Sequence, residues 1–402
     1  MTRIDSTLDL GARGPVRALV ASQIREVANA GMGDPAILPF WFGEPDEVTP
    51  EFIRAAAVAA LAAGETFYTM NFGIPELRDA LAAYVSRLHP PQAGAAGTPD
   101  RIAVTASGMS ALMLAVEALI GPGDRVVCVT PLWPNLTEIP KILGADVVRV
   151  ALDFDERGWT LDLDRLLAAL TPGTRAVMIN SPNNPTGWTL RRDEQQAILA
   201  HCRRHGIWIV ADDVYERLHY AVDGAASIAP SFLDIAASGD RLVSTNSFSK
   251  AWLMTGWRLG WIVAPEALMP DLGKLIEYNT SCSPVFVQRA GVVAITQGEP
   301  TVAHTLARFR RARDFLTAEL SRIPGVTAAP PAGAMYAFFR VEGVADSLAF
   351  CTRLVREAKL GLAPGSAFGP EGEGFVRWCF ASGEARLADG VARLSGFLAR
   401  GR

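Results

Sequence analysis

Seven short apolar runs between residues 100 and 265 constrain this chain more than any other feature: Ile102–Thr105, Arg125–Thr130, Asp146–Val150, Arg175–Asn180, Gly206–Asp212, Arg241–Asn246 and Arg258–Ala264. Most are apolar almost without interruption rather than at alternate positions, so both faces of each strand need cover. The amphipathic segments between them are long enough to cross the sheet as helices. The pattern predicts an α/β fold built on a mostly parallel seven-stranded sheet. Turn signals support it: Gly121-Pro122-Gly123-Asp124, Gly144, Thr171-Pro172-Gly173-Thr174 and Gly206 each stand just before a run.

After Ser283-Pro284 the texture changes. A helical pattern runs from Val285 to Arg322, broken around Gly298-Glu299-Pro300, and strand-like Met335–Val341 and Phe375–Ala381 follow, as in a smaller α+β domain. Near the start lie one helical stretch, Val16–Ala30, and a turn-rich segment, Phe42-Gly43-Glu44-Pro45-Asp46. At roughly 100–200 residues per domain, the 402 residues suit three parts: an N-terminal segment 1–48 packing with the small domain, a large domain 49–284 and a small domain 285–402. Pro90–Pro99 reads as a Pro/Gly/Ala loop.

Half the residues are apolar and a fifth charged, which excludes extended disorder. Lys plus Arg is 38 against Asp plus Glu 42, a net charge of −4 with no basic run, so neither nucleic acid nor membrane is the expected partner. Five scattered cysteines without a CxxC pair point to a reducing, cytoplasmic setting. Arg3, Asp5, Asp9 and Arg13 leave no apolar core for a secretory signal. Ile102–Ile120 is apolar enough to suggest a membrane helix, but Thr105, Ser107, Gly108 and Ser110 break it into strand, turn and helix.

In an open parallel sheet, ligands bind beyond the carboxyl ends of the strands, so the residues after each run are the candidates. Ser107-Gly108-Met109-Ser110 precede the helical stretch Ala111–Ile120 and read either as an anion-binding helix start or as a plain cap. Ser181 to Gly187 place the adjacent amides Asn183 and Asn184 before a proline. Asp212 and Asp213 emerge where an apolar strand ends, as site carboxylates or as helix caps. Lys250 sits among apolar and aromatic residues in Ser247-Phe248-Ser249-Lys250-Ala251-Trp252, where desolvation frees its amine for attack on a carbonyl. Arg258 is costly to bury beside Trp257 unless it meets an anion. His201 and His205, at i and i+4, read as an exposed face beside Arg203 and Arg204 rather than a metal pair, and no metal site is expected.

With these residues the chain resembles the class I/II aminotransferases, pyridoxal-phosphate enzymes of fold type I. The resemblance spans the whole length through ordered motifs: Phe42-Gly43-Glu44-Pro45-Asp46, Tyr68 with Gly73-Ile74-Pro75-Glu76-Leu77-Arg78, Ser107-Gly108-Met109, Trp133-Pro134-Asn135, Asn184-Pro185-Thr186-Gly187, Asp212 with Tyr215, Ser247 with Lys250 and Arg258, and Arg377. It implies that Lys250 holds pyridoxal 5'-phosphate as a Schiff base and then moves the substrate proton, and that Asp212 faces the pyridine nitrogen. Tyr215 and Asn184 would bond the ring oxygen and Trp133 would stack on the ring. Arg258, Ser247 and the turn Ser107-Gly108-Met109 would hold the phosphate. Tyr68 would reach the phosphate of a neighbouring subunit, which implies a homodimer with shared sites. Arg377 would clamp the substrate carboxylate, assisted by Asn184 and the backbone near Gly43.

Met109 stands where some aspartate-using relatives carry lysine, and Ser107-Gly108-Met109 replaces a common Gly-Ala-Ser. The implied reaction is therefore ping-pong transamination between an apolar or aromatic L-amino acid and a 2-oxo acid, with aspartate as the alternative donor if Arg13 or Arg17 swings over the site. Met335 and Tyr336 are further candidates for the side-chain pocket. Rivals on the same scaffold are a β-eliminating lyase or synthase, separable by product analysis. A non-catalytic cofactor-binding sensor is more remote, since such proteins usually add a DNA-binding domain, for which the stretch before Val16 has no room.

Overall fold

The computed structural model describes residues 11–89, 97–220 and 228–400. Most of the Pro90–Pro99 loop and the charged residues Arg3, Asp5 and Asp9 lie outside them. All seven apolar runs form strands of one sheet: β1 (Ile102–Thr105), β2 (Arg125–Thr130), β3 (Asp146–Ala151), β4 (Thr174–Asn180), β5 (Trp208–Asp212), β6 (Leu242–Ser247) and β7 (Gly260–Val263), in the spatial order β1-β7-β6-β5-β4-β2-β3. Alternate residues pack to opposite faces of the sheet, as a strand period of two requires. Val127, Val129, Val177, Ile179 and Ile209 pack on one face, and Val126, Cys128, Ala176, Met178 and Val210 on the other. That double burial explains the unbroken apolar texture.

β7 departs from the parallel scheme, pairing antiparallel with both β1 and β6. Its first residues therefore lie at the edge where the parallel strands end. The strand begins at Gly260 rather than Arg258, because Arg258 adopts a left-handed backbone, φ +53°. A Cβ on Gly260 would come within 2.5 Å of the Gly108 backbone nitrogen, so glycine permits the close approach of β7 to the turn after β1.

A second core surrounds a four-stranded sheet that includes Tyr336–Val341 and Phe375–Cys379, paired antiparallel. Phe309 and Leu316 of the helix Glu299–Leu320 pack there with Phe338, Phe339 and Trp378, and Ile24, Val27, Phe40 and Trp41 join from the N-terminal segment. Leu38 and Pro39 also pair with Leu360 and Gly361 through the backbone.

The sequence expectation of one helix over Val16–Ala30 needs correction: the structure has Gly14–Arg17 and Gln23–Asn29. Val16 and Val20 are exposed and give the intervening stretch little to bury, while the Ser22 side chain accepts from Arg25 N at 3.3 Å and starts the second helix afresh. The helix expected over Ala111–Ile120 spans Gly108–Leu119, because Ser107 caps it. No helix among the described residues is long and apolar enough to cross a membrane.

Candidate active site

The carboxyl edge of the sheet and the second core enclose a cleft of about 760 Å³. Strand register sets its floor: Asn180 pairs across to Asp212, and Asp212 to Thr245, so the ends of β4, β5 and β6 lie side by side. Asp212 is 7% exposed and receives Asn180 Nδ2 on Oδ2 at 3.2 Å. Burial, followed by the neighbouring Asp213, raises its pKa to about 7. Asp213 faces away from the cleft, its Oδ2 accepting from Ser244 Oγ at 2.6 Å and Ser231 Oγ at 3.2 Å. The two adjacent carboxylates are thereby separated, one lining the cleft and one bonded beneath the sheet edge.

Lys250, three residues beyond β6, projects into the cleft and donates to the Gly43 carbonyl. Loss of hydration lowers its amine to about 8. Asp212 and Lys250 are both displaced toward neutrality, and among the described residues no ion pair joins Asp212 to a cation. At the opposite wall Arg377, 1% exposed, gives Nη1 to Asn184 Oδ1 at 3.0 Å and Nη2 to the Trp41 carbonyl. Its guanidinium lies between the Tyr336 ring, 4.5 Å away, and the Phe368 ring at 4.9 Å. Arg377 Nε is buried without a hydrogen-bond partner, a costly state for a charged fork.

The helix Gly108–Leu119 points its N-terminus at the same cleft, where Gly108, Met109, Ser247 and Arg258 are neighbours on the wall. The antiparallel course of β7 is what delivers Arg258 there; its Nη1 bonds the Thr255 carbonyl at 2.7 Å, leaving other donors on the fork. Ser107 caps this helix, its hydroxyl accepting from Ser110 N at 3.0 Å. Trp133, Asn184, Tyr215 and Gly43 line the cleft, whereas Tyr68 is 89% exposed on the outer surface. His201 donates through Nε2 to the Leu170 carbonyl at 2.7 Å, far from this wall.

Several wall residues escaped sequence reasoning. Asn180 holds Asp212 through Nδ2 and accepts the Asn184 backbone N–H on Oδ1 at 2.7 Å. Its signal was a polar residue closing an apolar strand. Ile24, Trp41, Leu112 and Val214 add apolar wall beside Phe42 of the turn-rich motif, and nothing in the local sequence of these four marks them.

A Lys amine, a buried carboxylate, an anion cradle and a buried arginine fork around one cleft form a site for a phosphorylated carbonyl cofactor and an α-carboxylate. The sequence profile described as "Aminotransferase class I and II" matches residues 38–394. The chain is 35% identical to an aspartate aminotransferase of Thermotoga maritima over 89% of its own length and 90% of that protein. It is 31% identical to an aromatic-amino-acid aminotransferase of Thermococcus litoralis, over 93% and 94% of the two chains. A Thermus thermophilus aspartate aminotransferase structure superposes with a TM-score of 0.86 at 31% identity, covering 96% of this chain and 99% of that one. Agreement on this scale, over a cleft so furnished, identifies the chain as a member of the class I and II aminotransferases, a pyridoxal-phosphate-dependent transaminase of fold type I.

Proposed function

We propose that the enzyme moves amino groups between an apolar or aromatic L-amino acid and a 2-oxo acid by a ping-pong mechanism, as a cytoplasmic homodimer with shared active sites. Residues 49–284 act as the large cofactor-binding domain, and 285–402, joined by 1–48, as the small one. The residues fit pyridoxal phosphate: burial displaces Lys250 toward the free amine, Asp212 is a buried carboxyl whose charge a pyridinium would compensate, and Arg377 keeps an unpartnered buried N–H. When bound, the cofactor supplies the electron sink that acidifies the amino acid Cα.

Asp212, its carboxylate oriented by Asn180, holds a proton on the pyridine nitrogen. Lys250 Nζ would hold the cofactor's carbonyl carbon and, as a free amine, would take up and return the substrate's Cα proton; burial lowers that amine to about 8, which favours the unprotonated base. Asn184 spends Oδ1 on Arg377 and keeps Nδ2 for the ring oxygen, alongside the Tyr215 hydroxyl. Trp133 covers the ring. Arg258, Ser247 and the turn Ser107-Gly108-Met109 hold the phosphate. Arg377 forks the substrate carboxylate, and Tyr68, exposed in the single chain, completes the site of a second copy. The five free cysteines support a reducing compartment.

The substrate preference rests on one observation: the cationic side chains on the cleft wall are Lys250, Arg258 and Arg377, each already assigned. The side-chain end meets Ile24, Phe42, Met109 and Leu112 instead. A substrate carboxylate buried there without a cation costs several kcal/mol, a thousandfold or more in kcat/KM. Arg13 and Arg17 do not line the cleft, so the cation that favours aspartate as a second reading is Arg25, whose guanidinium lies 4.7 Å over the Phe42 ring. Steady-state kinetics with aspartate, phenylalanine, leucine and alanine test the proposal. Phenylalanine or leucine is expected to lead, and aspartate ahead by tenfold, about 1.4 kcal/mol, overturns it.

A further inference from the structure

Tyr336 touches three parts of the cleft at once: Tyr215, Arg377 and Gly43. It opens the strand Tyr336–Val341, is 1% exposed, and belongs to the second core. Its Oη lies 2.8 Å from Tyr215 Oη, an ordinary O–H···O distance, although Tyr215 follows β5 on the other sheet. The two rings meet edge to face at 5.8 Å. The flat of the Tyr336 ring backs the Arg377 guanidinium at 4.5 Å. A Cβ added to Gly43 would overlap the Tyr336 hydroxyl, so Gly43, whose carbonyl receives Lys250, is seated directly against it.

Donor counting decides what this contact does. A phenol has one O–H and accepts through its lone pairs. If Tyr215 gives its only proton to the cofactor ring oxygen, the 2.8 Å contact survives only with Tyr336 as donor and Tyr215 as acceptor. Both phenols stay protonated across the working range, because burial pushes each upward. Donation into Tyr215 polarises its O–H in a low-dielectric site and makes it a stronger donor in turn.

We propose that Tyr336 is a positioning residue that acts through Tyr215: its hydroxyl holds and polarises the phenol facing the cofactor ring oxygen while its ring backs the Arg377 fork. This rests on the reading of Tyr215 as the ring-oxygen donor. A single side chain on the second sheet thereby ties the carboxylate clamp to the electronic tuning of the cofactor.

The experiment titrates the visible absorbance of the purified holoenzyme against pH for wild type, Tyr215→Phe, Tyr336→Phe and the double variant. A ring oxygen less well neutralised by Tyr215 holds the neighbouring proton more tightly, so the midpoint rises. Tyr336→Phe is expected to raise it by roughly half a pH unit, Tyr215→Phe to raise it further, and the double variant to match Tyr215→Phe alone. The phenylalanine ring still backs Arg377, so KM for the amino donor is expected to move less than about threefold, whereas Tyr336→Met, lacking ring and donor, raises both midpoint and KM. Should Tyr336→Phe fail to fold, Tyr336→Met carries the midpoint test. A shift with Tyr215→Phe but none with the Tyr336 variants overturns the proposal alone, as does a double variant whose shift is the sum of the singles. No shift with Tyr215→Phe overturns the underlying reading of Tyr215 and the proposal with it.

Discussion

Arg377 Nη1 donates to Asn184 Oδ1 at 3.0 Å, joining a strand of the smaller sheet to the loop that leaves β4. The pair is buried on both sides, with Arg377 at 1% and Asn184 at 5% exposure. On the proposed roles, a substrate carboxylate on Arg377 would be registered against an amide of the cofactor wall, and the two sheets would act on the reacting atoms as one frame.

Lys250→Ala is expected to fold, to bind pyridoxal phosphate without a covalent link, and to lose turnover by several orders of magnitude. Borohydride reduction of the wild type followed by peptide mapping checks the anchor: the label belongs on Lys250, and recovery on another lysine contradicts the assignment.

Neighbouring carboxylates separate by role. Asp212→Asn is expected to cripple proton transfer, because an amide cannot hold the charge that keeps the pyridine nitrogen protonated. Asp213→Asn keeps most activity but loses roughly 1–3 kcal/mol of stability, since Ser244 and Ser231 both donate to its Oδ2. Single-turnover kinetics and urea melts of the two variants test the ranking.

Tyr68 provides a test of the shared site. Mixing Tyr68→Phe with Lys250→Ala subunits is expected to create heterodimers with one intact site and one doubly defective site, and so activity beyond the sum of the separate proteins. Unchanged activity after subunit exchange shows that Tyr68 serves its own chain.

His89 gives the fold a pH signature of its own. Its ring lies between Asp234 Oδ1 at 2.7 Å and Glu216 Oε2 at 3.1 Å, with Tyr84 donating to the same Glu216 and Arg192 to the same Asp234. Burial opposes the imidazolium, but the two carboxylates outweigh it and raise the pKa to about 10, above the ordinary 6.5. A raised folded pKa stabilises fully below 6.5, and the contribution fades as pH climbs toward 10. Thermal melts of wild type and His89→Gln are expected to differ most below pH 6.5 and to converge toward pH 10; a constant difference refutes the charged state of His89.

Asn180 and Asn184 show how far local sequence reaches. Asn184 was found because two amides before a proline at a strand end belong to a recognisable motif, whereas Asn180 is simply the last residue of β4, and its role appears only when the register sets it beside Asp212. The expected helix Val16–Ala30 failed for a related reason: helical propensity without a continuous buried face cannot hold the stretch between Ala18 and Ser22.

Local chemistry alone determined the seven strands, because burial on two faces demands unbroken apolar runs, and it singled out Lys250 as a candidate, because a charged group among such runs is too costly to lack a purpose; it left Asp212 and Asp213 undivided. Only the tertiary structure decided the direction of β7, which an apolar run cannot encode and which carries Arg258 to the cleft wall shared by Gly108 and Ser247. Only it decided that the Ser107 hydroxyl takes up the Ser110 N–H and so starts the helix at Gly108. And only it brought Tyr336 to Tyr215 across 121 residues, since a contact between two sheets depends on how whole layers pack and leaves no trace in either neighbourhood.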